Sequence, residues 1–193
     1  MNIDLDQPQF ALSQAVTIVP GLTADMVQNW DKRKILSKET AMRARKNAQL
    51  RWTLRHLMVM RVLVEAGRFG IKPSAAIDIA RYVADEADEF VENSKFGESQ
   101  RSGVPQYLFN SDAKNNYRRA IISILEDGSY DLSLFSLSAS DYLDGAFRVH
   151  SMNVAYLILE ADLIFADTIN AAAYVLAGFD PIADGVLINA KEG

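Results

Sequence analysis

Gln28, Asn29, Lys32 and Arg33 are spaced so that one helical flank would carry two carboxamides and two cations, and Lys34 extends the run. A carboxamide offers a donor and an acceptor side by side, so it can pair with an adenine edge. A Lys or Arg holds a phosphate oxygen. Lys38, Arg43, Arg45, Lys46 and Arg51 follow with the same sign of charge. The chain as a whole carries −5 over 193 residues, so this run opposes the average. Residues 1 to 72 hold twelve Lys and Arg against six Asp and Glu, a net of +6. Residues 73 to 193 hold eight against nineteen, a net of −11. A basic surface attracts a phosphate backbone, and an acidic remainder limits indiscriminate adhesion. A charge run alone is more simply read as a solvated helix face. The order of elements around it shifts that balance.

Other chemistries find little support. There is no cysteine, which removes disulfides, thiol nucleophiles and thiolate metal sites. His56 and His150 are far apart in sequence, so a zinc site is not expected, although carboxylates remain able to hold a hard cation. No phosphate-binding glycine loop, zinc-protease or nucleophile-elbow motif is present. Glu160, Asp162 and Asp167 are better explained as a helix start favoured by its dipole than as a catalytic set. Tyr107, Tyr117, Tyr130 and Tyr142 are dispersed and read as packing residues. The expectation is a protein that is not an enzyme and that uses no cofactor or metal. The start, MNIDLDQPQF, lacks a cationic signal region, and the apolar stretch 154–179 is interrupted by three carboxylates. A cytoplasmic protein is expected.

The candidate residues need elements to position them. Ser13 is placed to cap a short helix through Val19, with Ala15, Val16 and Val19 inward, and Pro20-Gly21 ends it. Leu22 is suited to plug the gap between two helices. Thr23 caps the next helix, residues 24 to 33, with Asp25 at its positive end. Met26, Val27 and Trp30 form its inner stripe. Two short helices around a tight glycine turn make a helix-turn-helix. Residues 37 to 52 suit a hairpin wing or a helix extension. Thr53 caps a strong helix with Leu54, Leu57, Met58, Val62 and Leu63 inward, which Gly67 should end. Pro73 begins a long helix to residue 93, with Ile77, Ala80, Ala84, Ala87 and Val91 on one stripe.

This order resembles the MerR-type winged-helix DNA-binding domain. The likeness is carried by the turn Pro20-Gly21-Leu22-Thr23 and by Trp30 with Asp31-Lys32 and Ile35-Leu36. It continues in the basic segment closing on Arg51-Trp52-Thr53, the Leu-rich helix, and the turn Phe69-Gly70-Ile71 before the helix from Pro73. It covers residues 10 to 80. The chain has Gln28 where that family usually has an arginine, Asn29-Trp30 for its tyrosine pair, and Gln49-Leu50 for the Gly-Tyr of its wing. The resemblance implies a prokaryotic transcription regulator. Its recognition helix would sit in the major groove, with Thr23, Gln28, Asn29, Lys32, Arg33 and Lys34 at the DNA. Lys38, Arg43, Arg45, Lys46 and Arg51 would lie along the backbone. Such regulators bind pseudo-palindromic double-stranded DNA as homodimers.

The remainder reads as a linker, 94–106, followed by a small α+β unit, 107–193. Residues 111 to 127 suggest a capped helix, YDLSLFSLS alternates as a strand, NVAYLILE is a buried strand, and a final helix ends at Gly178. The fold expected is mostly α with a minor α+β part. It comprises a winged helix-turn-helix unit over 8–93, the linker, and a C-terminal domain for dimerisation, effector or partner contact. The alternatives are a protein-interaction adaptor that uses the winged helix without DNA, and a phage or plasmid DNA-packaging or excision factor.

Overall fold

The computed structural model describes residues 4–36, 50–93, 96–98, 105–107, 117–125, 130–137 and 153–181, the strands by their backbone pairing. The described part is mostly helical. Its N-terminal half is built from α1 (Leu12–Ile18), α2 (Ala24–Lys32), α3 (Leu54–Arg68), α4 (Pro73–Asp85) and α5 (Ala87–Asn93).

Helix α1 starts one residue before the expected cap. Ala11 is the N-cap, and the Gln14 side chain accepts from its N–H at 2.9 Å, a reach-back bond that leaves Ser13 inside the first turn. Ala15, Ile18 and Val19 are buried, and Val16 is half-buried. The turn to α2 passes through Gly21 at φ 81°, where a β-carbon would come within 3.2 Å of Arg68 and Val64 on α3. The turn therefore presses onto α3, and Leu22, only 4% exposed, joins the core.

Helix α3 is the centre of the molecule. Thr53 caps it in a reciprocal box with His56: Thr53 Oγ1 accepts from the His56 N–H, and His56 Nδ1 accepts from the Thr53 N–H. Nine of its fifteen residues are buried, on every side rather than one stripe, because α4 and the C-terminal helix pack on it from different directions. Gly67 does not end it. The helix runs through Arg68, and Gly70 at φ 80° supplies the left-handed residue of the cap. Pro73 occupies the first position of α4, as its fixed φ suits.

The expected long helix is two. It breaks at Glu86, where Arg55 Nη1 donates to the Ala84 carbonyl at 2.8 Å. A continuous helix would give that carbonyl to the Asp88 N–H, so a side chain inserted into the ladder accounts for the break. Beside it, the stretch before α1 is fixed by a bridge between Phe10 and Trp52, both fully buried.

The second half holds a pair of short antiparallel strands, β1 (Phe96–Glu98) and β2 (Pro105–Tyr107), of which all but Tyr107 fall in the segment expected to be a linker, 94–106. β3 (Tyr117–Leu125), β4 (Tyr130–Leu137) and β5 (Asn153–Glu160) form an antiparallel sheet of order β4-β3-β5. β3 lies where the sequence suggested a helix. Its Ile121, Ile122 and Ile124 are β-branched, which favours the strand. The final helix α6 (Ala161–Leu176) packs against α1, α3 and α5, with Phe165 5.5 Å from Phe90 between ring centres. Most of its buried residues, Phe165 and Ile169 among them, belong to one core with those of α1 to α5.

Candidate nucleic-acid interface

The two faces of α2 are chemically opposite. Val27 and Trp30 are buried, 2% and 5% exposed, and Met26 packs half-buried beside them. Gln28, Asn29, Lys32 and Arg33 are all exposed. The helix begins at Thr23, an exposed residue whose Oγ1 accepts from the Met26 N–H at 3.2 Å. Asp25 lies in the first turn and Lys32 in the last, each at the end of the dipole that suits its charge. Lys34 is exposed immediately beyond the cap. Lys32, Arg33 and Lys34 make no ion pair among the described residues, so three consecutive exposed cations close one helix end.

Of the other expected contact residues, Arg51 is exposed, and its Nη1 lies 3.5 Å from the Gln9 carbonyl, a weak tether beside the Phe10–Trp52 bridge. Lys38, Arg43, Arg45 and Lys46 lie outside the described residues. The bridge returns the chain beyond residue 49 to the segment that leads into α1.

The same basic stretch also holds Arg55 and Arg61, and these are not surface cations. Arg55 donates Nε and Nη2 to Asp6 at 2.9 and 3.1 Å, Nη2 to Asp88 at 2.9 Å, and Nη1 to the Ala84 carbonyl. These hydrogen bonds hold the Asp6 carboxyl below its ordinary range and push the Arg55 pKa upward. Arg55 thus clasps the N-terminal segment and the α4–α5 junction onto α3. Arg61 and Glu65, each 15% exposed, approach to 2.9 Å without the linear geometry of a hydrogen bond. Asp167 of α6 and Arg68 interact electrostatically with Arg61, and burial lowers the Arg61 pKa while raising that of Asp167.

Reasoning from sequence missed Arg81 of α4. Its Nη2 donates to the Ile35 carbonyl at 3.2 Å, directly after the cation cluster, and its Nη1 pairs with Asp78. Nothing local in sequence signals a contact across that separation. Among the described residues no group of His, Asp or Glu is arranged to hold a metal ion, and no helix is long and apolar enough to cross a membrane. No protein-family model matches the chain, and no curated protein matches it in sequence.

Proposed function

We propose that this chain is a prokaryotic, cytoplasmic transcription regulator that binds double-stranded DNA sequence-specifically through a MerR-like winged helix-turn-helix. The observation that carries this reading is the outer face of α2. Gln28, Asn29, Lys32, Arg33 and Lys34 are exposed together, and the three cations have no ion-pair partner among the described residues. In this reading α2 enters the major groove. Gln28 and Asn29 meet base edges, and Lys32, Arg33 and Lys34 meet phosphates. Thr23 stands at the leading end of the helix. Lys38, Arg43, Arg45, Lys46 and Arg51 continue along the flanking backbone. The chain beyond residue 106 serves dimerisation, effector or partner contact, its strands carried beside α6, which is itself packed into the core of α1 to α5. The protein acts as a homodimer on a pseudo-palindromic site.

Selection of bound fragments from genomic DNA, followed by footprinting, tests the proposal directly. The expected result is a protected site with two related halves. Affinity should fall with salt along a log–log slope of about −0.9 per phosphate contact. Failure to retain any duplex at low salt would overturn it in favour of an adaptor that uses the same fold on a protein. A selected site in a packaging or excision region rather than a promoter would move the role to mobile-element DNA handling.

A further inference from the structure

Among the described residues, three helices end with the same backbone pattern, in which one residue must be left-handed. At the end of α3, Ile71 N–H donates to the Ala66 carbonyl and Gly70 N–H to the Gly67 carbonyl, at 3.1 and 3.0 Å. At the end of α6, Phe179 donates to Tyr174 and Gly178 to Val175, at 2.9 and 3.2 Å. At the end of α2, Ile35 donates to Trp30 and Lys34 to Asp31, both at 2.9 Å. This double bond pattern places the residue after the cap in the left-handed region, where glycine is the ordinary occupant. Gly70 and Gly178 follow that rule at φ 80° and 85°. Lys34 breaks it at φ 57°, the non-glycine residue of positive φ among the described residues. A side chain there crowds its own carbonyl. Such strain persists only where the surroundings over-determine it, and it concentrates at functional positions.

The surroundings do over-determine it. Trp30 and Leu36, on either side of the turn, are buried, Leu36 completely. Arg81 of α4 donates to the Ile35 carbonyl, so the strand of chain leaving Lys34 is held from a second helix. The Lys34 side chain is exposed, and it leaves from a backbone held on both sides.

We infer that Lys34 is a phosphate-contacting residue set in place by its strained left-handed backbone, and that Arg81 is its positioning residue. Glycine at 34 would relieve the strain but remove the cation. This rests on the proposed binding of duplex DNA. A cation on a fixed backbone loses less freedom when it meets a phosphate than one on a mobile loop, so it contributes more to binding.

The test uses the full chain, a duplex carrying the selected site, and a random duplex, titrated across salt. Lys34→Gly should fold with a Tm equal to or above the parent's, by up to about 2–4 °C. Its salt slope should be shallower by about 0.9 on both duplexes. Arg81→Ala should lower affinity in the parent but change the slope no further in the Lys34→Gly background, and Arg81→Lys, which keeps a donor, should recover part of the loss. Parental slope and affinity in Lys34→Gly would overturn the inference while leaving DNA binding intact. A lower Tm in Lys34→Gly would overturn the strain argument. Equal weakening by Arg81→Ala with and without Lys34 would make Arg81 a purely structural residue. A parent that retains no duplex at low salt would overturn the functional reading itself, before any variant is compared.

Discussion

Lys32, Arg33 and Lys34 at the end of α2, and Arg55 and Arg61 on α3, belong to one basic stretch of sequence but end in opposite electrostatic situations. The first group is exposed, without an ion pair among the described residues. The second is drawn inward: Arg55 onto Asp6 and Asp88, Arg61 against Glu65. A count of charge along the chain weights them equally. Among the described residues, the first group is the one whose field is left without an ion-pair partner, so a polyanion can feel it. The second group holds the fold together, and its field is largely cancelled at short range.

The largest effect is expected from undoing the scaffold of the first group. The outer face of α2 is displayed only because Trp30 and Val27 anchor its inner face. Trp30→Ala should cost about 3–5 kcal/mol, lowering Tm and weakening every DNA interaction together. Unaltered thermal unfolding with lost DNA binding would instead make Trp30 a contact residue.

Matched substitutions should separate the two groups. Arg55→Ala strips hydrogen bonds from Asp6, Asp88 and the Ala84 carbonyl. Two of those partners are largely exposed and can turn to water, so the expected cost is about 1–3 kcal/mol. The salt slope of DNA binding should not move. Lys32→Ala with Arg33→Ala should do the reverse. Stability should change by no more than about 0.5 kcal/mol per site, and the slope should fall by about 0.9 for each phosphate that is no longer neutralised. If Arg55→Ala lowers the slope, the division between the two groups is wrong.

How much of this was legible follows from the range of each interaction. The α2 faces were legible because Met26, Val27 and Trp30 repeat at helical spacing and Thr23 is a local cap. The same holds for Thr53 and for Pro73. The break at Glu86 was not legible, because its cause is a guanidinium from another helix. The end of α3 at Gly70 rather than Gly67 depends on which glycine is left-handed, and two glycines three apart do not decide that alone. β3 was misread because Ala120, Ile121, Ile124 and Leu125 satisfy a helical stripe as well as a strand; three isoleucines were the better signal. The packing of α6 onto α3 joins residues about a hundred apart in sequence, and an apolar pattern names a buried face without naming its partner.

Within the first group the amides and the cations should separate. Gln28→Ala and Asn29→Ala remove no charge, so affinity for random DNA and its salt slope should stay as in the parent. Loss of a bidentate contact to adenine is worth about 1–3 kcal/mol of discrimination at one base pair. Each variant should therefore relax preference at one position of each half-site. Selected-site profiles identical to the parent's would remove the base-reading role and transfer specificity to the basic segment or to DNA shape.

The smallest effect lies inside the second group. Burial raises the Asp167 pKa, Arg61 opposes the shift, and Glu65 adds to it. Because the net shift is upward, the folded protein binds this proton more tightly than the unfolded chain does. Ionised Asp167 therefore subtracts from stability. That cost is absent below the unfolded value, near 3.9 on the ordinary scale. It grows as pH rises to the folded value and is constant above it. Asp167→Asn keeps the shape and removes the charge. At pH 7 the variant should melt slightly above the parent, by no more than about 2–4 °C, the scale of 1 kcal/mol in a chain of this size. The gap should close as pH is lowered through the carboxylate range. The opposite order at pH 7 would mean that attraction between Asp167 and Arg61 outweighs burial, and that the cluster binds α6 to α3 by charge. Parallel melting curves of parent and variant against pH decide between the two.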